Sequence, residues 1–251
     1  LSATGLFHRQ DNNGIYVSDG FAAAVEYPLN ESSLDRAAGR FQYLYDKYLN
    51  GSNRVFLSVI PDKNCFLARE SGHLSMDYAQ LESLMAQKVG FADYISISDL
   101  LERDDYYRTD THWRQERLLP VAAAICEALG ADAPGPFTEK TLSPFYGAYY
   151  GQAALPMAPD TLTYLESADT KAAKVTGPEL DGAQPVYRPE LLDGTDGYDV
   201  FLSGAQAVLT VTSPNVHNGR HLVLFRDSFG SSLAPLLLGS FERITLVDLR
   251  Y

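Results

Sequence analysis

His221-Leu-Val-Leu-Phe-Arg-Asp-Ser-Phe-Gly-Ser-Ser232 is the stretch on which the fold turns. The near-continuous apolar run from His221 to Arg226 reads as a buried strand, Asp227-Ser228 as a tight turn, and Phe229 to Leu238 as a helix. A strand feeding a helix through so short a turn is the unit of a parallel α/β sheet, where chemistry gathers beyond the carboxyl ends of the strands. Ser228 stands at such an edge. The layout follows the logic of the nucleophile elbow, although Arg226 occupies the place of the first glycine in G-x-S-x-G and only Gly230 matches. The same residues also suit a plain helix cap made by Ser228 or Asp227. Both readings stand at this point.

Working outward, Gln206–Thr212 and Arg243–Val247 read as flanking strands. The N-terminal half carries a β-prone segment from Gly14 to Tyr27 and a helix capped by Ser32 or Ser33. An apolar strand from Arg54 to Ile60 follows, then a helix from Asp77 to Val89 and a strand from Tyr94 to Ile97. A further helix spans about Arg114–Leu129, kinked or delayed by Pro120. This rhythm predicts an α/β fold in three layers, a parallel sheet with helices on both faces. Residues 130–197, rich in Gly, Pro, Ser, Thr and Tyr, read as a β- and loop-rich insertion within one domain spanning 1–251.

Asp104-Asp-Tyr-Tyr-Arg-Thr-Asp-Thr-His-Trp113 is the densest polar and aromatic cluster. In an extended segment Asp110 and His112 point to the same side, about 6–7 Å apart at Cα. A carboxylate there orients the imidazole and leaves the other ring nitrogen for a serine proton. Trp113 would shield the pair or offer a flat face to a sugar. The competing reading is a helix-capping Asp with a His packed beneath Trp113. Paired with a serine at another strand end, the cluster points to a Ser228–His112–Asp110 triad.

The 251 residues carry a net charge of −12, which argues against nucleic acid or an anionic membrane as partner. No run of about 18 apolar residues occurs, so no transmembrane segment is expected. Cys65 and Cys126 form no C-x-x-C pair, and a disulfide between them stays open. His217 and His221 are separated by the turn signal Asn218-Gly-Arg, so neither a metal nor another cofactor is expected. Asp62 and Lys63 read as a solvated turn. Tyr107 and Arg108 are candidates to position substrate, Asn218 to line the pocket, and Tyr146, Tyr149 and Tyr150 to stack on sugar or pack within the insertion.

Thr109-Asp-Thr-His-Trp113, followed much later by Val223-Leu-Phe-Arg-Asp-Ser-Phe229, resembles the DHHW family of bacterial proteins, relatives of the alginate O-acetyltransferases of the AlgX/AlgJ type. Ser58-Val-Ile-Pro-Asp-Lys63, Tyr198-Asp-Val-Phe-Leu-Ser-Gly204 and Arg243-Ile-Thr-Leu-Val-Asp-Leu-Arg-Tyr251 add supporting likeness. The resemblance implies an SGNH hydrolase-like, flavodoxin-like domain of permuted topology, in which the Asp/His pair precedes the serine. It implies a serine esterase or O-acetyltransferase acting on cell-envelope or extracellular polysaccharide, or on an acylated small molecule. The alternative is a non-catalytic glycan- or protein-binding envelope protein that keeps the fold. An extracytoplasmic location is also implied, secreted or membrane-anchored, with the signal or anchor outside this chain and envelope proteins as partners. Thr111 replaces the first family His, and Arg114, Leu118 and Leu119 depart from the family's helix start. The chain ends at Tyr251 where members often continue. The Gly and Asn oxyanion donors of ordinary SGNH enzymes lack clear counterparts; Gly204 and the Ser228 N–H stand in for them.

Overall fold

The computed structural model describes residues 14–153, 156–248 and 250–251. Leu1, where the chain begins, and Leu249 in the last segment lie outside them. The chain opens with a hairpin, β1 (Ile15–Ser18) and β2 (Phe21–Ala24), closed by Asp19-Gly20, both at positive φ as a tight two-residue turn requires. Helix α1 (Glu31–Tyr48) is capped by Asn30, whose side chain accepts the Ser33 N–H at 3.0 Å. The expected caps Ser32 and Ser33 therefore lie inside the helix. The strand expected over 54–60 shrinks to β3 (Phe56–Leu57), which pairs in parallel with β4 (Asp93–Tyr94). Between them run α2 (Asn64–Ser71), which the sequence reading missed, and α3 (Tyr78–Lys88), capped by Asp77.

Helix α4 (Leu119–Ala128) starts late, after a 3-10 turn at Gln115–Arg117, because Pro120 belongs in a first turn where no N–H is needed. Residues 130–197 contain a hairpin of β5 (Thr138–Phe145) and β6 (Asp160–Glu166), the short helices α5 (Ala148–Ala153) and α6 (Ala168–Ala172), and β7 (Lys174–Thr176). β7 joins the larger sheet, so this region does more than lie over the scaffold.

That sheet has the order β7-β8-β10-β9, with β8 (Val208–Thr212), β9 (His221–Arg226) and β10 (Arg243–Asp248). β9 and β10 are parallel, whereas β8 runs antiparallel to β10 and β7 antiparallel to β8. The expected all-parallel sheet is therefore replaced by small mixed and two-stranded sheets within an α/β fold. β9, expected to be buried, is an edge strand among the described residues, and its Val223 and Phe225 are 56% and 45% exposed. After β9 come α7 (Gly230–Leu233) and a 3-10 turn at Ala234–Leu237, together filling the expected 229–238 helix.

The main core gathers Trp113, Leu118, Val121, Phe145, Leu162, Phe201, Leu209 and Leu246 from both halves of the chain. Both cysteines are free thiols, Cys126 buried in α4 and Cys65 on α2. Among the described residues no helix is long and apolar enough to cross a membrane.

Candidate active site

Two chain segments build the site. The first, 105–114, folds as a tight hairpin rather than an extended strand: Tyr106 pairs with Trp113, and the Tyr107 N–H donates to the His112 carbonyl at 3.1 Å. Asp110 sits at the tip. One carboxylate oxygen, Oδ1, accepts both the His112 backbone N–H at 2.9 Å and Nδ1 of its ring at 2.5 Å. The other, Oδ2, accepts the Ala148 N–H at 2.8 Å. Burial pushes the Asp110 carboxyl up, but the hydrogen bonds and charge of His112 outweigh it and hold the group below its ordinary range.

The second segment is the turn after β9. Asp227 forms an Asx turn there, its Oδ1 accepting the Phe229 N–H at 2.9 Å, while the helix that starts after Phe229 has no side-chain cap. Ser228 Oγ is left to face His112 Nε2 at 2.8 Å. Asp110, His112 and Ser228 thus form one hydrogen-bonded row, with Asp110 fully buried and His112 only 5% exposed.

Several groups hold that row. The His112 ring stacks on Tyr198, centroids 3.8 Å apart and planes 4° from parallel. Trp113 lies beneath: its indole N–H donates to Ser232 Oγ at 2.9 Å and to the Phe229 carbonyl at 3.1 Å. The Gln115 side chain donates to the Ser232 carbonyl at 2.6 Å and accepts the Leu165 N–H at 2.7 Å. The hairpin tip is tied from outside as well. Asp160 accepts the N–H groups of Arg108 and Thr109, and Thr109 Oγ1 accepts the Gly147 N–H at 3.0 Å.

The other expected site residues take structural roles or lie away from the row. Trp113 has no exposed surface, so it is a strut under the serine turn and offers no face to a sugar. Tyr107 is equally buried, wedged edge-on against Phe145. Arg108 is exposed, its guanidinium over the Phe21 ring at 5.7 Å. The Gly204 N–H donates to the Phe201 carbonyl at 3.1 Å, which commits it to its own turn. Asn218 lies at the opposite edge of the sheet from Ser228, separated by the length of β9, about 20 Å. Because β8 is antiparallel, its carboxyl end points away from the site, and Asn218 instead bonds the Ser240 carbonyl and the Arg220 N–H. Tyr146 and Tyr150 pack on each other, while the Tyr149 hydroxyl donates to Thr111 Oγ1 at 3.1 Å.

Two residues of the site were read differently or passed over. Lys63, expected in a solvated turn, is 2% exposed, and its ammonium donates into the hairpin carbonyls. Asp199, next to Tyr198, is half-buried against Gly204; burial first and the charge of Asp196 second raise its carboxyl to about 6, with His112 pulling the other way. A raised folded-state pKa means the native chain binds this proton more tightly than the unfolded chain. Its stability contribution is full below about 4 and is lost as pH rises through about 6. Asp199→Asn should therefore stabilise the protein at pH 7.5 by on the order of 1–2 kcal/mol, with the gain gone at pH 3.5. Urea titrations of both proteins at the two pH values measure this. Equal stability of the two proteins at pH 7.5 would contradict it.

Solved structures with similar folds include a DHHW family protein from Eubacterium siraeum, at 23% identity, TM-score 0.80, covering 96% of this chain and 84% of that one. Bacillus cereus PatB1 is similar at 18% identity, TM-score 0.72, covering 94% and 87%, and a structure of PatB1 with a sulfonyl adduct is also among the matches. The O-acetyltransferase domain of Pseudomonas putida AlgJ is more distant, at 14% identity and TM-score 0.51, covering 93% and 78%. No curated protein matches the sequence. The family model described as DHHW protein matches residues 44–247, which takes in the Asp110–His112 hairpin, the Ser228 turn and most of the sheet, and the chain belongs to that family.

Proposed function

We propose that this chain is a serine-dependent O-acyltransferase or esterase, with Ser228 as nucleophile, His112 as general base and then acid, and Asp110 as the group that orients His112. The observation that carries the reading is the row Asp110 Oδ1–His112 Nδ1 and His112 Nε2–Ser228 Oγ, at 2.5 and 2.8 Å. Asp110 fixes the ring with its proton on Nδ1, so Nε2 faces the hydroxyl as an acceptor. Ser228 Oγ attacks the acyl carbonyl carbon while its proton passes to Nε2. The donor alcohol then departs with that proton, leaving an acyl-serine. An acceptor hydroxyl next gives its proton to Nε2 and attacks the acyl carbonyl carbon; the bond to Ser228 Oγ breaks and Nε2 returns the proton to Oγ, restoring the free serine, with water in the acceptor's place in hydrolysis. The Phe229 and Gly230 N–H groups are committed to Asp227, which leaves the N–H of Ser228 itself as the oxyanion donor we assign from this turn.

The likeness to the AlgJ O-acetyltransferase domain favours acetyl as the acyl group and a hydroxyl as acceptor. The proposal extends to cell-envelope or extracellular polysaccharide as substrate and to an extracytoplasmic place of work beside envelope proteins. It also treats 1–251 as one SGNH-like domain of three-layer, permuted design with 130–197 inserted. The test is labelling with a serine-directed fluorophosphonate, read by intact mass, together with turnover of an activated acetyl ester in the presence and absence of added oligosaccharide. The expected result is one label per chain, absent in Ser228→Ala, and acetylated oligosaccharide among the products. A folded protein that takes no label and cleaves no ester would leave the glycan- or protein-binding alternative.

A further inference from the structure

Lys63 closes the turn between β3 and α2, where a lysine would ordinarily reach into water. Here it is buried, and its Nζ donates to the carbonyls of Tyr107 at 2.6 Å and Asp110 at 2.8 Å, with the Arg108 carbonyl at 3.5 Å. Those three carbonyls line the inner side of the hairpin whose tip carries Asp110. An ammonium has three N–H donors to meet them; a neutral amine has two and adds a lone pair that faces the same oxygens. The charged groups around Nζ are Asp62 on its own turn, Asp110 on the hairpin and Asp160 at the start of β6. The rings of Phe21 from β2 and Tyr149 from α5 cover it at 5.8 and 5.4 Å, and Arg103 and Arg108 lie over the same Phe21 ring.

We propose that Lys63 is a positioning residue, its protonated amine gathering the hairpin carbonyls so that Asp110 and His112 stand in line with Ser228. The inference deepens the serine reading and rests on it for its effect on activity, although the alignment of the Asp110–His112 pair is measurable by itself. Burial lowers the amine to about 7, against the pull of the three carboxylates, so the clamp loosens within the ordinary working range as pH rises.

The test compares wild type, Lys63→Arg and Lys63→Met. Fluorophosphonate labelling of Ser228 is followed from pH 6 to 9, and the low-field proton on His112 Nδ1 is followed by NMR. Wild type should show a labelling rate that falls on the alkaline side, with the Nδ1 resonance broadening in step. Lys63→Arg, charged throughout, should lose that alkaline fall while keeping the resonance. Lys63→Met should label at least about tenfold more slowly at every pH and lack the sharp resonance. If Lys63→Met does not fold, the arginine variant and the wild-type pH series decide alone. An alkaline limb unchanged in Lys63→Arg, or an undisturbed Nδ1 resonance across the wild-type pH series, overturns the proposal. Absence of label in wild type alongside the expected NMR behaviour would sink the serine reading and leave the positioning role standing.

Discussion

Ser228→Ala should lower turnover of an activated acetyl ester by about 10⁴-fold or more while leaving the melting temperature nearly unchanged. Among the described residues the hydroxyl makes one hydrogen bond, to His112, and the turn around it is held by Asp227, so its removal costs the fold little. His112→Ala should cost a similar factor, because without Nε2 the serine proton has no acceptor. The double variant should be no slower than either single one, since the two groups act as a unit. Asp110→Asn should fall about 10⁴-fold as well, for a different reason: an amide at that position lets the ring settle with its proton on the wrong nitrogen. Steady-state rates of the four variants test the scheme, and additive losses in the double variant would contradict it.

Gly147→Ala should be strongly destabilising although it adds a single methyl group. A Cβ at this position would lie 2.2 Å from the Asp110 Cβ and 2.5 Å from its Cα, far inside contact distance and against backbone, which has no rotamer to escape into. The hairpin tip or the 147–148 segment must move. Either motion breaks the bonds from the Gly147 N–H to Thr109 Oγ1 and from the Ala148 N–H to Asp110 Oδ2. We expect a loss of roughly 3 kcal/mol or more in stability. Because a shift of about 1 Å misaligns the base, ester turnover should also fall about 100-fold in the protein that remains folded. Urea unfolding and activity per folded molecule measure the two effects. A variant as stable as wild type would mean that the two backbones are not in close contact here.

How much of this was legible beforehand depends on the range of the interaction concerned. The β9–turn–α7 unit was readable because its pattern is local: an apolar run, a polar turn and small residues in sequence. Asp110 and His112 were readable as a pair because two positions suffice to bring a carboxylate to an imidazole, even though an Asx-type turn at a hairpin tip does so here and an extended strand does not. The direction of β8 was not readable. Its alternation of buried and open positions is the same in a parallel or antiparallel neighbour, and its pairing with β10 is set by distant residues. For Trp113 the sugar-platform reading, one of two the sequence allows, fails, and for Lys63 the solvated-turn reading fails, for a shared reason. Their partners, Ser232 and the Tyr107 and Asp110 carbonyls, are far away in sequence, and without them a tryptophan looks like a sugar platform and a lysine like a solvated turn.

The seam between the hairpin and the serine turn bears on how the molecule assembles itself. Four hydrogen bonds cross it, all between residues 116 to 119 positions apart, and all within the short runs 112–115 and 228–232. Closing a flexible ring of that size costs about 4 kcal/mol in chain entropy, and the first of these bonds bears it for the other three. The four bonds therefore share a single closure cost, and each one made lowers the cost of the others. The Asp110–His112–Ser228 row therefore exists only where two segments 116 residues apart in sequence are held in register, and its geometry depends on the packing of the chain between them.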